Sequence, residues 1–320
     1  MCATTRGTEP TLTPPSAINA AVTAAADAAT PATTAPTAPA LPPFVDAAWL
    51  RDNLGDVVVA DVRWQLQGPS GRDAYEAGHI PGAVFVDLGA DLADITTPDR
   101  GRHPLPSPEA FAAAMGALGI GDSDAVVAYD AAGGIYAARL AWMLRAVRRS
   151  AAVLDGGMAA WGESLEAGPG TPRSASAFTA VPWPAEAVAT IDEVAAGADA
   201  RSGEACVVID VRAPERYRGD AEPIDPRAGH IPGAVNVPCM AHLGSDGTLL
   251  PSDALRDQFA TAGVTSAEGA IVYCGSGVNA CHGLLALEHA GLGRARLFPG
   301  SWSAWSNQPD RPVATGDRPG

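Results

Sequence analysis

The heptapeptide GHIPGAV occupies residues 78–84 and recurs unchanged at 229–235. Three further pairs of matching segments surround the two copies in the same order. They are VVVADVR at 57–63 and CVVIDVR at 206–212, VVAYDAAGG at 126–134 and AIVYCGSGV at 270–278, and AVLDGGMAAW at 152–161 and ARLFPGSWSAW at 295–305. Ordered segments that repeat at a near-constant offset indicate one folding unit present twice. The 320-residue chain is long enough for two such domains.

Each copy alternates short β-branched runs with stretches of helical spacing. In the second copy we expect strands at 206–210, 270–273 and 295–298, and helices at 251–262 and 278–290. Short apolar strands separated by helices are typical of a parallel sheet covered on both faces. The sequence therefore predicts an α/β fold, in which ligands bind beyond the carboxyl ends of the strands.

The domain limits follow from the repeat and from local composition. We expect domain 1 at 42–165, a Pro/Ser/Ala-rich linker at 166–185, domain 2 at 186–310 and a short C-terminal tail at 311–320. Residues 1–41 are rich in Ala, Thr and Pro and contain no aromatic residue. Such a composition does not bury enough surface to offset the entropy of ordering, so we predict a disordered N-terminal tail.

Composition and charge exclude several classes of function. The formal net charge of −15 argues against nucleic-acid binding, because phosphate contacts need clustered basic residues. All 21 basic residues are arginine, so anions must be bound by Arg, His or backbone amides. No apolar run approaches a membrane-spanning length, and no segment combines a basic start with the apolar core of a secretory signal. We expect a cytoplasmic protein without membrane or nucleic-acid partners.

The cysteines are candidates for disulfide bonds, metal binding or nucleophilic catalysis. There are five: Cys2, Cys206, Cys239, Cys274 and Cys281. Their odd number and the lack of a C-x-x-C pair favour neither a disulfide framework nor a zinc site, so we predict no metal and no cofactor. Only Cys274 follows a predicted strand and opens a glycine-rich loop, CGSGVN at 274–279.

The loop after Cys274 is suited to an activated thiol. Gly275 and Gly277 allow the backbone to curl so that successive N–H groups point inward and form an anion-binding cup. The helix expected to start at about Val278 directs its positive end at the same point. Both effects favour the thiolate and make Cys274 reactive near neutral pH. A buried, inert cysteine at a strand end is the alternative, and the loop alone leaves both possibilities open.

Comparison of the two copies separates the fold from the chemistry. Both copies contain the GHIPGA motif, so His79 and His230 are expected to brace a turn rather than to catalyse. Copy one has Asp130 where copy two has Cys274. Only the second copy therefore carries a soft nucleophile at this loop.

Two GHIPGA motifs, the loop CGSGVN and the terminal LFPGSWSAW together resemble the tandem-domain rhodaneses, a family of sulfurtransferases. The resemblance covers roughly residues 42–310. It implies two rhodanese domains, each a parallel sheet flanked by helices, with a silent first domain and an active site in the second that faces the domain interface. A loop reading Cys-Gly-Ser-Gly-Val-Thr is typical of the 3-mercaptopyruvate sulfurtransferases, and here Asn279 replaces the threonine.

The resemblance also implies a substrate site. Arg216 matches the first of two carboxylate-binding arginines in the mercaptopyruvate-type members, and Arg227 matches the second at a longer spacing. A guanidinium fork is the group expected to hold the carboxylate of an α-keto acid, since the loop side chains are uncharged. Solvated surface arginines are the alternative. The loop residues expected to complete the substrate site are Gly275, Gly277, Val278 and Asn279.

A second catalytic group is implied within the loop. Ser276 matches a serine that assists proton movement together with an aspartate from domain 1. In an ungapped match Gly89 stands where that aspartate would fall, with Asp87 and Asp91 as close neighbours. Ala304 is a further departure, since the terminal signature of the family usually carries Glu there.

The implied activity is transfer of a sulfane sulfur from 3-mercaptopyruvate, through a persulfide on Cys274, to a thiol acceptor such as thioredoxin or to cyanide. A thiosulfate:cyanide sulfurtransferase is the alternative within the family. A non-catalytic rhodanese-like binding module is an alternative from another class. A dual-specificity phosphatase would need an arginine six positions after the cysteine to clamp the phosphoryl group, and residue 280 is alanine.

Overall fold

The computed structural model describes residues 40–320 apart from 66–67, 69 and 199–205. Most of the N-terminal tail expected at 1–41 therefore lies outside the described residues. Leu41 is buried, and its N–H donates to Ser150 Oγ at 3.1 Å. Within the described ranges, no helix is long and apolar enough to cross a membrane.

The first half of the chain forms a five-stranded parallel sheet with strand order β1-β5-β4-β2-β3. Its strands are β1 Phe44–Val45, β2 Val58–Asp61, β3 Val84–Phe85, β4 Val126–Tyr129 and β5 Ala151–Leu154. Its helices are α1 Ala47–Asp52, α2 Gly71–Ala77, α3 Pro108–Ala117, α4 Ala137–Ala146 and α5 Gly157–Trp161, with a 3₁₀ turn at Pro98–Arg100.

The second half repeats this arrangement with a four-stranded parallel sheet of order β7-β6-β8-β9. Its strands are β6 Val208–Asp210, β7 Val235–Asn236, β8 Ile271–Tyr273 and β9 Arg296–Leu297. Its helices are α6 Ile191–Ala198, α7 Pro214–Arg218, α8 Ser252–Thr261, α9 Asn279–His289 and α10 Ser301–Ser306, with a 3₁₀ turn at Cys239–His242. The predicted α/β fold with two parallel sheets flanked by helices is confirmed.

One polar network explains why the DVR and GHIPGA segments occur in both halves. In domain 1, Arg63 pairs with Asp61 at 2.6 Å and donates to the Gly78 carbonyl at 2.7 Å. The Tyr129 hydroxyl donates to Asp61 at 2.7 Å and accepts from the Ile80 N–H at 3.1 Å. Buried charges persist when they are paired and fully hydrogen-bonded, so this network fixes the motif against the central strands.

The repeated histidines brace the same turns, as predicted. His79 stacks on Tyr75 with ring centroids 3.8 Å apart, and its Nδ1 lies 2.9 Å from the Tyr75 carbonyl oxygen. His230 repeats both contacts with Tyr217, at 3.7 Å and 2.8 Å. Both imidazoles are fully buried, away from any solvent-facing site.

The two domains share a hydrophobic core along their interface. Helices α4 and α9 pack against each other, and a single apolar cluster contains side chains from both halves. Each of these helices follows the loop at the carboxyl end of a central strand, at 130–136 in domain 1 and 274–278 in domain 2. The packing therefore brings residues near the start of each helix close to the partner domain.

The loop at 130–136 shows what this backbone arrangement binds. Asp130 is fully buried, and its two carboxylate oxygens accept four backbone N–H groups. The donors are Ala132 at 2.7 Å, Gly134 at 2.8 Å, Tyr136 at 2.6 Å and Ala137 at 2.9 Å. Burial raises the pKa of Asp130, and the hydrogen bonds from these amides oppose the rise. The loop at the start of α4 is thus an amide cup closed by its own carboxylate.

Replacing this carboxylate should destabilise the protein without abolishing catalysis. In Asp130→Asn one carboxylate oxygen becomes an NH₂ group facing two N–H donors, which lose their acceptor. At about 1–3 kcal/mol for each unsatisfied donor, we expect the free energy of unfolding to fall by about 2–6 kcal/mol. Turnover per folded molecule should stay near the wild-type value, because copy one lacks a nucleophile.

Denaturant titration and an activity assay on the same preparation measure both quantities. Asp253→Asn, an exposed carboxylate at the start of α8, serves as the control and should change neither. A stably folded Asp130→Asn protein that has lost turnover would show that the loop of domain 1 takes part in the chemistry.

Candidate active site

Cys274 is the first residue after β8, and a short signature near the C-terminus holds its backbone. The Cys274 N–H donates to Ser301 Oγ at 3.1 Å, and its carbonyl accepts from the Trp302 N–H at 2.9 Å. The Gly275 carbonyl accepts from the Ser303 N–H at 2.9 Å. Ser301 adopts a left-handed φ of 52°, which directs its hydroxyl and the amides that follow it at the loop. The segment PGSWS at 299–303 therefore positions the nucleophile.

The Cys274 sulfur lies at the mouth of the predicted amide cup. Gly277 donates its N–H to Sγ at 3.1 Å, and the eleven-residue helix α9 begins at Asn279. Gly277 has a φ of 80°, and a Cβ placed on it would lie 2.5 Å from the Pro299 carbonyl oxygen. Only glycine can therefore make this turn without displacing the backbone that faces it. The helix end and the amide both favour negative charge on the sulfur.

Two guanidinium groups flank the loop at Gly275. A Cβ built on this glycine would lie 3.0 Å from Arg102 Nη2 and 3.4 Å from Arg216 Nη1. Arg216 donates to Glu222 at 2.6 Å and to Asp225 at 3.3 Å, and Asp225 also pairs with Arg102. The four side chains balance to zero formal charge, with both arginines facing the nucleophile's loop.

Arg227 lies away from the loop that follows Cys274. Its guanidinium donates to four backbone carbonyls around the end of α10. The acceptors are Ser306 at 2.8 Å, Arg311 at 2.8 Å, Trp305 at 3.0 Å and Gln308 at 2.7 Å. These carbonyls accept from four of the five guanidinium N–H groups, so the structure does not bring Arg227 to the loop with Arg216.

Ser276 meets a histidine from domain 1. Its Oγ lies 2.9 Å from His103 Nδ1, and the imidazole packs edge-on to Trp64 with centroids 6.0 Å apart. Burial, together with the charges of Arg139 and Arg102, lowers the pKa of His103 to about 4. His103 is therefore neutral at pH 7 and can exchange a hydrogen bond with the serine hydroxyl.

The aspartates considered as partners for Ser276 are engaged in their own turn. Asp87 Oδ1 accepts from the Gly89 N–H at 2.8 Å and the Ala90 N–H at 2.9 Å, and Asp91 Oδ2 accepts from the Asp87 N–H at 2.8 Å. Among the described residues, the ring of His103 has Ser276 as its hydrogen-bond partner rather than a carboxylate. The pair is thus a Ser–His dyad.

A cavity of about 620 Å³ lies between the domains at this point. Six of the eight predicted site residues line it: Cys274, Gly275, Ser276, Val278, Asn279 and Arg216. Domain 1 contributes Trp64, Leu88, Arg102, His103 and Tyr136. Asn279, which replaces the family's threonine, directs its Nδ2 toward Cys239 Sγ at 3.9 Å. Cys274 therefore opens onto a site built by both domains.

Arg102 and His103 are the site residues that the sequence analysis missed. They lie in the segment between GHIPGAV and the tripeptide LPS, which spans 85–104 in copy one and only 236–249 in copy two. The extra length was the available signal, because an insertion confined to the copy without a nucleophile has no role in the shared fold. The charged residues of this insertion were therefore candidates for side chains that reach the cavity from domain 1.

Comparison with known proteins identifies the family. A model of the rhodanese-like domain matches residues 46–164 and 192–308. A provisionally named thiosulfate sulfurtransferase of Mycobacterium tuberculosis is 42% identical over 273 residues, which cover 82% of this chain and 92% of the relative. The 3-mercaptopyruvate sulfurtransferase of Escherichia coli is 36% identical over 281 residues, or 84% of this chain and 97% of the relative. The chain belongs to the rhodanese family, as the sequence resemblance predicted.

Solved structures agree with this assignment. SseA from Escherichia coli, described as a 3-mercaptopyruvate sulfotransferase with the rhodanese fold, matches with a TM-score of 0.72 and 34% identity over 82% of this chain and 99% of its own. The 3-mercaptopyruvate sulfurtransferase from Leishmania major matches with a TM-score of 0.75 and 28% identity, covering 85% of this chain and 76% of its own. The relatives carry sulfurtransferase names, which confirms the predicted class of enzyme.

Alanine substitution at Gly277, with Gly263 as a matched control, tests whether the turn at Gly277 controls the reactivity of Cys274. Gly263 has a φ of 82°, close to that of Gly277, but a Cβ placed on it meets no atom within 4 Å. Alanine at either position bears the same backbone strain of about 1–2 kcal/mol, whereas only Gly277→Ala pushes against Pro299. We expect Gly277→Ala to slow alkylation of Cys274 by iodoacetamide by at least roughly tenfold, the equivalent of about 1.4 kcal/mol.

Gly263→Ala should react at the wild-type rate despite a similar loss of stability. Equal alkylation rates for the two variants would mean that the turn at Gly277 does not control the sulfur.

Proposed function

We propose that this protein transfers a sulfane sulfur from 3-mercaptopyruvate to a thiol or cyanide through a persulfide on Cys274. The observation that carries the proposal is the position of the Cys274 sulfur, which accepts an amide N–H in a loop that faces a cavity lined by three arginines, Arg102, Arg212 and Arg216. The equivalent cup of domain 1 holds the Asp130 carboxylate with four N–H groups. Because the loop backbone binds a carboxylate in domain 1, the equivalent loop of domain 2 is suited to stabilise negative charge on the sulfur of Cys274.

The first half-reaction is written with its atoms balanced. The Cys274 thiolate attacks the sulfur of 3-mercaptopyruvate, an S–S bond forms, and the C–S bond breaks. Its electron pair passes to the enolate of pyruvate, which takes up the proton of the donor thiol. The enzyme is left with a persulfide whose outer sulfur is negatively charged. Backbone amides preorganised around that sulfur stabilise the charge as it develops.

We assign transfer of the proton from the donor thiol to the enolate to Ser276 and His103. The donor thiol loses a proton and the enolate gains one, so a relay between the two positions avoids free charge in the cavity. His103 is neutral at pH 7 and lies within hydrogen-bond distance of the serine hydroxyl. General acid–base groups of this kind typically contribute about 10²–10⁴-fold to the rate.

The charge balance of the cavity favours 3-mercaptopyruvate over thiosulfate. Arg102, Arg212 and Arg216 supply three positive charges, and Asp210, Glu222 and Asp225 already offset them. A dianion such as thiosulfate would meet little unbalanced positive charge. A monoanionic carboxylate set back from its sulfur can share the guanidinium donors while the sulfur reaches Cys274.

Thiosulfate is the second candidate donor, and one observation favours it. The two guanidinium groups lie directly against Gly275 and thus close to the place where any donor sulfur must sit. The Mycobacterium tuberculosis relative also carries a thiosulfate sulfurtransferase name. Movement of Asp225 away from Arg102 would convert this pair into a site for a dianion.

In the second half-reaction, a thiolate or cyanide attacks the outer sulfur and releases the Cys274 thiolate, in a ping-pong sequence. A small protein thiol such as thioredoxin is one acceptor that this chemistry allows. The four described cysteines are free thiols. Reduced cysteines and a thiol acceptor support a reducing compartment such as the cytoplasm.

The persulfide is tested by intact mass. After exposure to 3-mercaptopyruvate without an acceptor, the mass should rise by one sulfur atom. Cys274→Ser should abolish the rise, whereas Cys239→Ser should retain it. Cys239 lines the same cavity, but burial raises the pKa of its thiol to about 12, so it stays protonated. Sulfur that persists in the Cys274→Ser protein would overturn the assignment of the nucleophile.

Donor choice is tested by comparing kcat/KM for the two donors. We expect the wild-type enzyme to prefer 3-mercaptopyruvate, and Arg216→Ala or Arg102→Ala to lower kcat/KM for it. Loss of one charged hydrogen bond, about 1.5–3 kcal/mol, corresponds to roughly ten- to a hundred-fold. Arg218→Ala is the control, since Arg218 lies on the same helix as Arg216 but pairs with exposed Asp220. A wild-type preference for thiosulfate would refute the choice of donor and leave the persulfide untouched.

A further inference from the structure

Arg139 crosses from domain 1 into the catalytic loop of domain 2. It lies on α4 and is fully buried. Nη1 donates to the Gly277 carbonyl at 2.9 Å, and Nη2 donates to the His103 carbonyl at 3.1 Å. Nε and Nη2 both donate to the Leu92 carbonyl, at 3.3 Å and 3.1 Å. One side chain thus fixes the cysteine loop and the segment that carries His103.

The contact with Gly277 bears directly on the sulfur. Gly277 donates its N–H to Cys274 Sγ, and its carbonyl is the acceptor for Arg139. The Cys281 thiol also donates to this carbonyl, at 3.4 Å. With its carbonyl held toward domain 1, Gly277 keeps its N–H directed into the cup.

The charge of Arg139 has no carboxylate partner among the residues that the structure describes. In the described part of the chain, Arg139 forms no ion pair with Asp or Glu, whereas Arg145 on the same helix pairs with Glu288 at 2.5 Å. Burial lowers the pKa of the Arg139 guanidinium, and negative charge on Cys281 or Cys274 opposes that effect. An arginine nevertheless stays protonated in proteins, so a positive charge is buried at the interface.

The groups that face this charge identify its counter-ion. They are Cys281 on α9, Cys274 at the loop and His103 on the facing segment, with Arg102 next to the histidine. Burial raises the pKa of Cys281 to about 12, and His103 is neutral at pH 7. Cys274, in the loop that Arg139 contacts through the Gly277 carbonyl, is the group left to carry a counter-charge, as a thiolate or as a persulfide.

We propose that Arg139 is a positioning residue through which domain 1 controls Cys274, because its buried charge, held at the Gly277 carbonyl, stabilises negative charge on the sulfur. The inference rests on the proposed role of Cys274 as nucleophile. It gives the domain without a nucleophile a defined part in the chemistry of its partner. Because alkylation of Cys274 needs no sulfur donor, the effect is measurable without turnover.

The test is the pH dependence of Cys274 alkylation in the full-length protein, with iodoacetamide as probe and peptide mass mapping to assign the label. A neighbouring charge typically shifts a titration by about 1–3 pH units. Arg139→Gln should therefore slow labelling at pH 7 by roughly tenfold or more, and the rate should approach the wild-type value at pH 10. Arg139→Lys should retain most of the rate at pH 7, because it keeps the charge.

Arg145→Gln is the matched control, since it removes another interdomain arginine contact from the same helix. It should leave the labelling profile unchanged even if stability falls. A wild-type profile for folded Arg139→Gln would overturn the proposal. Slow labelling at both pH values would also overturn it, because loss of loop structure rather than of charge would then be responsible. Should Arg139→Gln fail to fold, a low rate at pH 7 for folded Arg139→Lys would decide against the proposal.

Discussion

Backbone N–H groups that converge at the start of a buried helix must be given an acceptor, and both domains are organised around that requirement. In domain 1 the acceptor is permanent, because the Asp130 carboxylate takes four amides. In domain 2 the corresponding residue is Cys274, and the Gly277 N–H already points at its sulfur. A buried amide without a partner is unfavourable, so the sulfur of Cys274 serves as the acceptor that this amide needs.

Because the domain is duplicated, each copy contributes different residues to one cavity. Domain 2 supplies the nucleophile and Arg216, whereas domain 1 supplies Arg102 and His103 to the same cavity. The packing of α4 against α9 makes this possible, because it sets the start of each helix beside the other domain. A single copy of this fold would hold the cysteine and Arg216 but would lack Arg102 and His103 at the cavity.

The sequence predicted what depends on local pattern and missed what depends on contacts between domains. The repeat and the strand-and-helix alternation identified both sheets, and the glycine-rich loop led to the prediction of Cys274 as nucleophile, since each is encoded within a short segment. Arg102 and His103 reach the site from a long irregular segment with no periodicity, and nothing in their own surroundings indicates the partner loop. Arg227 matched the second carboxylate-binding arginine of the family by motif. In the structure its longer spacing from Arg216 places it at the end of α10.

The pairing of the cavity arginines with carboxylates has a consequence for turnover. Two unpaired guanidinium groups would hold any carboxylate tightly. In the proposed reaction, pyruvate leaves with the same carboxylate that 3-mercaptopyruvate brings. Binding that is equally strong before and after the chemical step does not raise the rate of that step. Because Glu222 and Asp225 already occupy donors of Arg216 and Arg102, a carboxylate must compete for them. The arginines can then orient the donor while product release stays fast, and the strongest stabilisation is left to the cup, where the charge forms.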